Sequence, residues 1–139
     1  MNLFEDIKVN IINWTWELPQ TLLGYVIMKF IDNYKVQNFR DVKLVLMNKQ
    51  RFGISLGRYI LLNKNTREIN KDHEYGHCIQ SKKLGPLYLI VVGIPSITLN
   101  IISSIIGGEF ASNYYNRFPE NWADKLGNIK RPIIYKIKH

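Results

Sequence analysis

His73-Glu74-Tyr75-Gly76-His77 is an H-E-x-x-H run in a chain that has only three histidines. On a helix, residues four apart share a face, so the two imidazoles can hold one metal ion while Glu74, the next residue on, leans toward the same ion. That pattern is the core of a zinc hydrolase. Zinc would lower the pKa of water to about 7 and polarise a scissile carbonyl, and Glu74 would take the water proton and pass it to the leaving amine.

A catalytic zinc normally has three protein ligands. Downstream, Pro119-Glu120-Asn121-Trp122-Ala123-Asp124-Lys125-Leu126-Gly127 reads as a short helix, with Pro119 at its first turn and Gly127 as its stop. Glu120 and Asp124 share one face of it. Glu120 can bind the metal, and Asp124 can accept the second ring N–H of a ligand histidine and so fix its tautomer. Glu109 is a rival ligand, and Asp72 a further one on a different helical face from His73. The oxyanion formed during hydrolysis needs another donor, which Tyr115, Tyr114 or His139 could supply. Paired tyrosines can equally be core or interface aromatics.

The motif requires a helix, and the sequence delimits one from about Arg67 to Lys83. Thr66 is its candidate cap, Lys82 and Lys83 suit its last turn, and Gly85-Pro86 ends it. Gly76 in mid-helix costs roughly 1 kcal/mol relative to alanine, which implies a close neighbour on that face. Cys78 points about 100° away from His77 and reads as a buried, inert thiol. Before the helix, Val42–Met47, Arg51–Leu56 and Arg58–Leu62 are short β-prone runs separated by Asn48-Lys49-Gln50 and Gly57. They predict a small antiparallel sheet, and so an α+β domain, with a strand beside the motif helix to which an extended peptide could add. The run from Leu18 to Met28, closed by Lys29 and flanked by Trp14, Trp16 and Tyr25, fits either a membrane-interface helix or a core helix.

From Leu84 to Gly108 there is no charged residue. Length and apolarity alone would license a transmembrane helix. A single crossing would, however, part His77 from Glu120 by about 30 Å, whereas a shared zinc holds both at about 2 Å. With Gly93-Ile94-Pro95-Ser96 near the middle as a breaker, the expectation is an apolar helical hairpin over about 84–108, attached to a membrane, lipid being a partner; the alternative is a pair of buried helices in a soluble core.

The bulk numbers set limits. A length of 139 residues allows one domain, 1–139. The net charge of +8 is spread along the chain without an arginine-rich helix, stacking motif or Cys/His finger, so nucleic acid is not expected as a partner. One cysteine excludes an intramolecular disulfide. The first ten residues carry Glu5 and Asp6 and lack a basic n-region, so the mature chain is expected to start near Met1.

H-E-x-x-H followed by E-x-x-x-D on a second helix resembles the gluzincin metallopeptidases, the thermolysin-like group. The resemblance implies Glu120 as third zinc ligand and Asp124 as the partner of His73. The chain is also similar to small bacterial membrane-associated HExxH peptidases through His73–His77, Ile79-Gln80-Ser81, Gly85-Pro86-Leu87-Tyr88-Leu89, the stretch from Tyr114-Tyr115 to Asp124 and Glu17-Leu18-Pro19-Gln20. That likeness implies a zinc metalloendopeptidase acting on peptides or proteins at the bacterial cell membrane. Two readings compete with it. In one, the chain is a zinc-binding membrane protein without proteolysis, although only Cys78 and His139 remain to close a fourth metal position. In the other, it is a basic soluble interaction module without metal.

Overall fold

The computed structural model describes residues 2–131. The elements run α1 (Leu3–Asn13), α2 (Leu18–Lys29), β1 (Tyr34–Phe39), β2 (Val42–Met47), β3 (Ile54–Leu56), β4 (Tyr59–Asn63), α3 (Glu68–Leu84), α4 (Ile94–Ile106), α5 (Gly108–Ser112) and α6 (Glu120–Leu126). This is an α+β fold, as expected.

Each face of the sheet is covered by one helix. Val45, Met47, Tyr59 and Leu61 bury one face with Met28 and Ile31, the end of α2 and its exit. Val42, Leu44, Ile60 and Leu62 bury the other with Cys78 of α3. Burial on both faces is why β4 begins as an apolar run and β2 is one broken only by Lys43, rather than alternating. The sheet is mixed, not purely antiparallel: its order is β1-β2-β4-β3, and β4 lies parallel to β2. The tight β3–β4 hairpin, which turns at Gly57 with φ 58°, swings β3 to the edge and inserts β4 against β2.

The motif helix starts one residue later than expected, and Arg67 occupies the cap position without a side-chain bond. The Thr66 hydroxyl instead accepts from Asn70 Nδ2 at 3.0 Å. The hairpin expected to bend at Gly93–Ser96 does not form. Residues Leu89–Ile106 make one continuous 18-residue helix, in which the π turn Leu89–Gly93 precedes α4. A widened turn removes the clash that the Pro95 ring would make with the preceding carbonyls, so the proline is absorbed rather than breaking the helix. The reversal lies further on, at Gly107 and Gly108, with φ of 64° and 55°. From there α5 and a 3-10 turn, Tyr114–Asn116, bring the chain back to α6.

Candidate metal centre

Helix α3 carries His73 and His77 on one buried face, their rings edge to face with centroids 4.8 Å apart. Helix α6 crosses that face because two glycines let it approach. A Cβ on Gly76 would lie 2.0 Å from the carbonyl oxygen of Ala123, and one on Gly127 would lie 2.4 Å from that of Asp72. Gly76 is therefore the mid-helix contact point that its cost in helix propensity implied.

This approach delivers Glu120 to the histidines. Its Oε2 lies 2.8 Å from His73 Nε2 and 3.1 Å from His77 Nε2. The three donor atoms fall within 4.8 Å of one another, and their residues are all buried. Tetrahedral zinc with ligands at about 2.0–2.1 Å separates donors by about 3.3 Å, and the two carboxylate–imidazole separations of 2.8 and 3.1 Å lie within about half an ångström of that spacing. One carboxylate and two imidazoles also suit the chemistry of zinc.

Both histidines are oriented through their other nitrogen. His73 Nδ1 lies 2.6 Å from Asp124 Oδ1, and Arg131 grips the same carboxylate through Nε at 2.5 Å and a terminal nitrogen at 2.8 Å. His77 Nδ1 lies 2.7 Å from Gln80 Oε1, whose amide donates to Pro119 O at 3.0 Å and so ties the motif helix to the start of α6. An N–H held on each Nδ1 leaves each Nε2 free to coordinate.

Burial alone would lower the pKa of His73, but hydrogen bonds with Asp124 and Glu120 and the nearby Glu74 charge outweigh it and raise the pKa to about 9. Burial would raise Glu120, yet hydrogen bonds from His73 and His77 hold its carboxyl well below the usual range. Asp124 is likewise lowered, its bonds with His73 and Arg131 overcoming desolvation. Without metal, His73 is thus an imidazolium between two carboxylates, and a metal ion must displace its Nε2 proton.

Glu74 faces the sheet edge. Ser55 of β3 donates its hydroxyl to Glu74 Oε2 at 2.6 Å, and a Cβ on Gly53 would stand 3.0 Å from Oε1. Tyr115 packs edge to face with the His73 ring, centroids 5.1 Å apart, and the Arg131 guanidinium lies over the Tyr115 ring, 3.3 Å from its centroid. Tyr114 lies beside Asn100, Ser96 and Glu120, where burial and the Glu120 charge push its hydroxyl upward. The rival ligands fall elsewhere: Asp72 pairs with Arg40 at 2.7 Å, and Glu109 is exposed on α5 outside the donor cluster. Cys78 is buried in the core, where desolvation pushes its thiol upward. His139 lies outside the described residues.

Four residues near the centre went unread in the sequence. Gln80 carried a signal, standing one helical turn past His77 on the same face. Ser55, Ser96 and Arg131 carried none, since only the tertiary fold brings them in. Compared with known protein families, with characterised proteins and with solved structures, the chain matches none.

Proposed function

We propose that the protein is a zinc-dependent metallopeptidase working at a membrane. The observation that supports this most is the convergence of His73 Nε2, His77 Nε2 and Glu120 Oε2, beside a Glu74 carboxylate already held by Ser55. When bound, zinc supplies Lewis acidity toward a scissile carbonyl and toward water. Glu74 takes the proton of the attacking water at its carboxylate and delivers it to the leaving amine, and Ser55 keeps that carboxylate in one orientation. Tyr115, whose ring packs against that of His73, would be the donor to the developing oxyanion. A peptide substrate would add along the edge of the sheet leading into β3. The Ser55 carbonyl already accepts from Tyr88 at 2.9 Å, so pairing is confined to the residues before it, around Gly53.

Support for the membrane comes from the helix Leu89–Ile106, 18 residues of which only 17% is buried. At 1.5 Å per residue it is about 27 Å long, close to the hydrocarbon thickness of about 30 Å.

Deep burial of the donors favours a second reading, a zinc-binding membrane protein without proteolysis: Glu120 is 0% exposed, His77 4% and His73 5%. Zinc stoichiometry and peptide hydrolysis of wild type, Glu74→Gln and Glu120→Ala separate the two. The peptidase reading expects Glu74→Gln to keep zinc and lose hydrolysis by about 10²-fold or more, and Glu120→Ala to lose zinc. Zinc in the wild type without any peptide cleavage would favour the second reading. Unchanged zinc affinity in Glu120→Ala would remove Glu120 from the ligand set.

A further inference from the structure

Glu120 uses its two oxygens differently. Oε2 meets the two histidines, while Oε1 accepts a hydrogen bond at 2.5 Å from the hydroxyl of Ser96, on the apolar helix α4. That bond occupies the oxygen that does not meet the histidines. Tyr88, Val92 and Ser96 recur at helical spacing on one face of the helix. Tyr88 donates to the Ser55 carbonyl, Val92 is fully buried, and Ser55 in turn holds Glu74. One helical face therefore holds both the third ligand and the strand that orients the base.

Little protein fixes where that helix lies. Beyond Ser96 it rests chiefly on the Tyr114–Asn116 turn and α5. Its outer face is a row of isoleucines, Ile90, Ile94, Ile97, Ile101 and Ile105, each more than half exposed. Protein interfaces are anchored by aromatic residues and arginine. This row has neither, and no charged residue falls between Lys83 and Glu109. Unbroken isoleucine along about 23 Å of helix is what a hydrocarbon layer accepts.

We infer that Ser96 is a positioning residue for Glu120, and that the lipid seating α4 thereby sets the metal affinity of the centre. This rests on the zinc reading above and adds its regulation: the site is completed when the isoleucine face is in a bilayer, and loosened when α4 has no lipid to lie in.

The test is the zinc dissociation constant of the full chain, read by competition with a chromophoric chelator, in buffer and with phosphatidylcholine/phosphatidylglycerol vesicles. Wild type should bind zinc at least about tenfold more tightly with vesicles. Ser96→Ala should bind about 10–100-fold more weakly than wild type on vesicles, the usual cost of losing a partner behind a metal ligand, and should barely respond to lipid. Ser96→Thr, which keeps the hydroxyl, should restore wild-type behaviour. Ile97→Lys, on the outer face, should keep the affinity in buffer and lose the tightening by lipid. It also guards against a Ser96→Ala protein that does not fold. A lipid-indifferent wild type that binds zinc, a Ser96→Ala protein equal to wild type on vesicles, or an Ile97→Lys protein that still tightens would each overturn the inference while leaving the metal centre standing. No zinc binding by wild type under either condition would overturn the centre itself, and the inference with it.

Discussion

Helix α6 carries the Glu120 carboxylate and α4 brings the Ser96 hydroxyl to it, yet the two helices are held in opposite ways. α6 has seven residues, with Glu120, Ala123 and Asp124 buried, and is far too short to persist alone. Its position is dictated by the protein, through bare glycine contacts with α3 and the bonds of Asp124 and Gln80. α4 is longer and regular, but buries only Ser103 of its own residues. Its first turns are anchored by Tyr88 and Val92, and the rest projects an isoleucine face away from the body. The carboxylate carried by the short helix is therefore preset, while the hydroxyl it accepts from rides on a helix that the rest of the protein covers only sparsely.

Gly76→Ala attacks the preset half hardest. The new Cβ would meet backbone of Ala123, which cannot rotate away as a flexible side chain could, so α6 must move off α3. Overpacking of this kind costs about 1–3 kcal/mol or more. Thermal unfolding should fall accordingly, and zinc affinity should drop by more than stability alone requires, since Glu120 and Asp124 leave together. A Gly76→Ala protein that keeps both would mean that the glycine contact does not place the third ligand.

The pH dependence of the metal-free protein probes the same half more gently. His73 has a folded pKa of about 9 against an unfolded value near 6.5. Its contribution is therefore fully present below about pH 6.5 and is lost as pH rises through about 9, amounting to roughly 3 kcal/mol shared with its carboxylate partners. Glu120 and Asp124 are lowered, so their contribution is present above their ordinary values near 4 and fails as the medium becomes more acidic. Chelator-treated protein should thus be most stable between about pH 5 and 6.5, and denaturant midpoints should decline toward pH 9. Asp124→Asn should flatten that alkaline decline; an unchanged profile in this variant would dissociate Asp124 from the histidine.

How far the sequence revealed this arrangement follows the range of the forces involved. The motif helix, α6, the close neighbour of Gly76 and the burial of Cys78 were legible because each is encoded within a few residues. β1 was missed: its residues are largely exposed, and its hairpin turns at Arg40, which adopts φ 53° where a glycine or asparagine would have advertised the turn. The parallel pairing of β2 and β4 depends on a crossover that no local pattern specifies. Pro95 misled because a π turn two residues earlier gives it room, a compensation visible only in the backbone. Ser55 and Ser96 lie 19 and 24 residues in sequence from the carboxylates they hold, so only the assembled fold could reveal them.

The mildest test stays inside α4 and contrasts its two faces. Val92, on the anchored face of the preceding turn, is fully buried, whereas Ile101 is 53% exposed on the outer row. Val92→Ala removes two methyl groups from packed surroundings and should cost about 1–2 kcal/mol in buffer. Ile101→Ser removes more apolar volume but from a half-exposed site with fewer protein contacts to lose, so its effect in buffer should be smaller, below about 1 kcal/mol. The order should reverse on vesicles, where sedimentation with lipid is expected to weaken for Ile101→Ser and to be unaffected for folded Val92→Ala. Equal costs for both in buffer would mean that the outer face packs against protein after all, and the contrast between a helix placed by the fold and one placed by its surroundings would no longer hold.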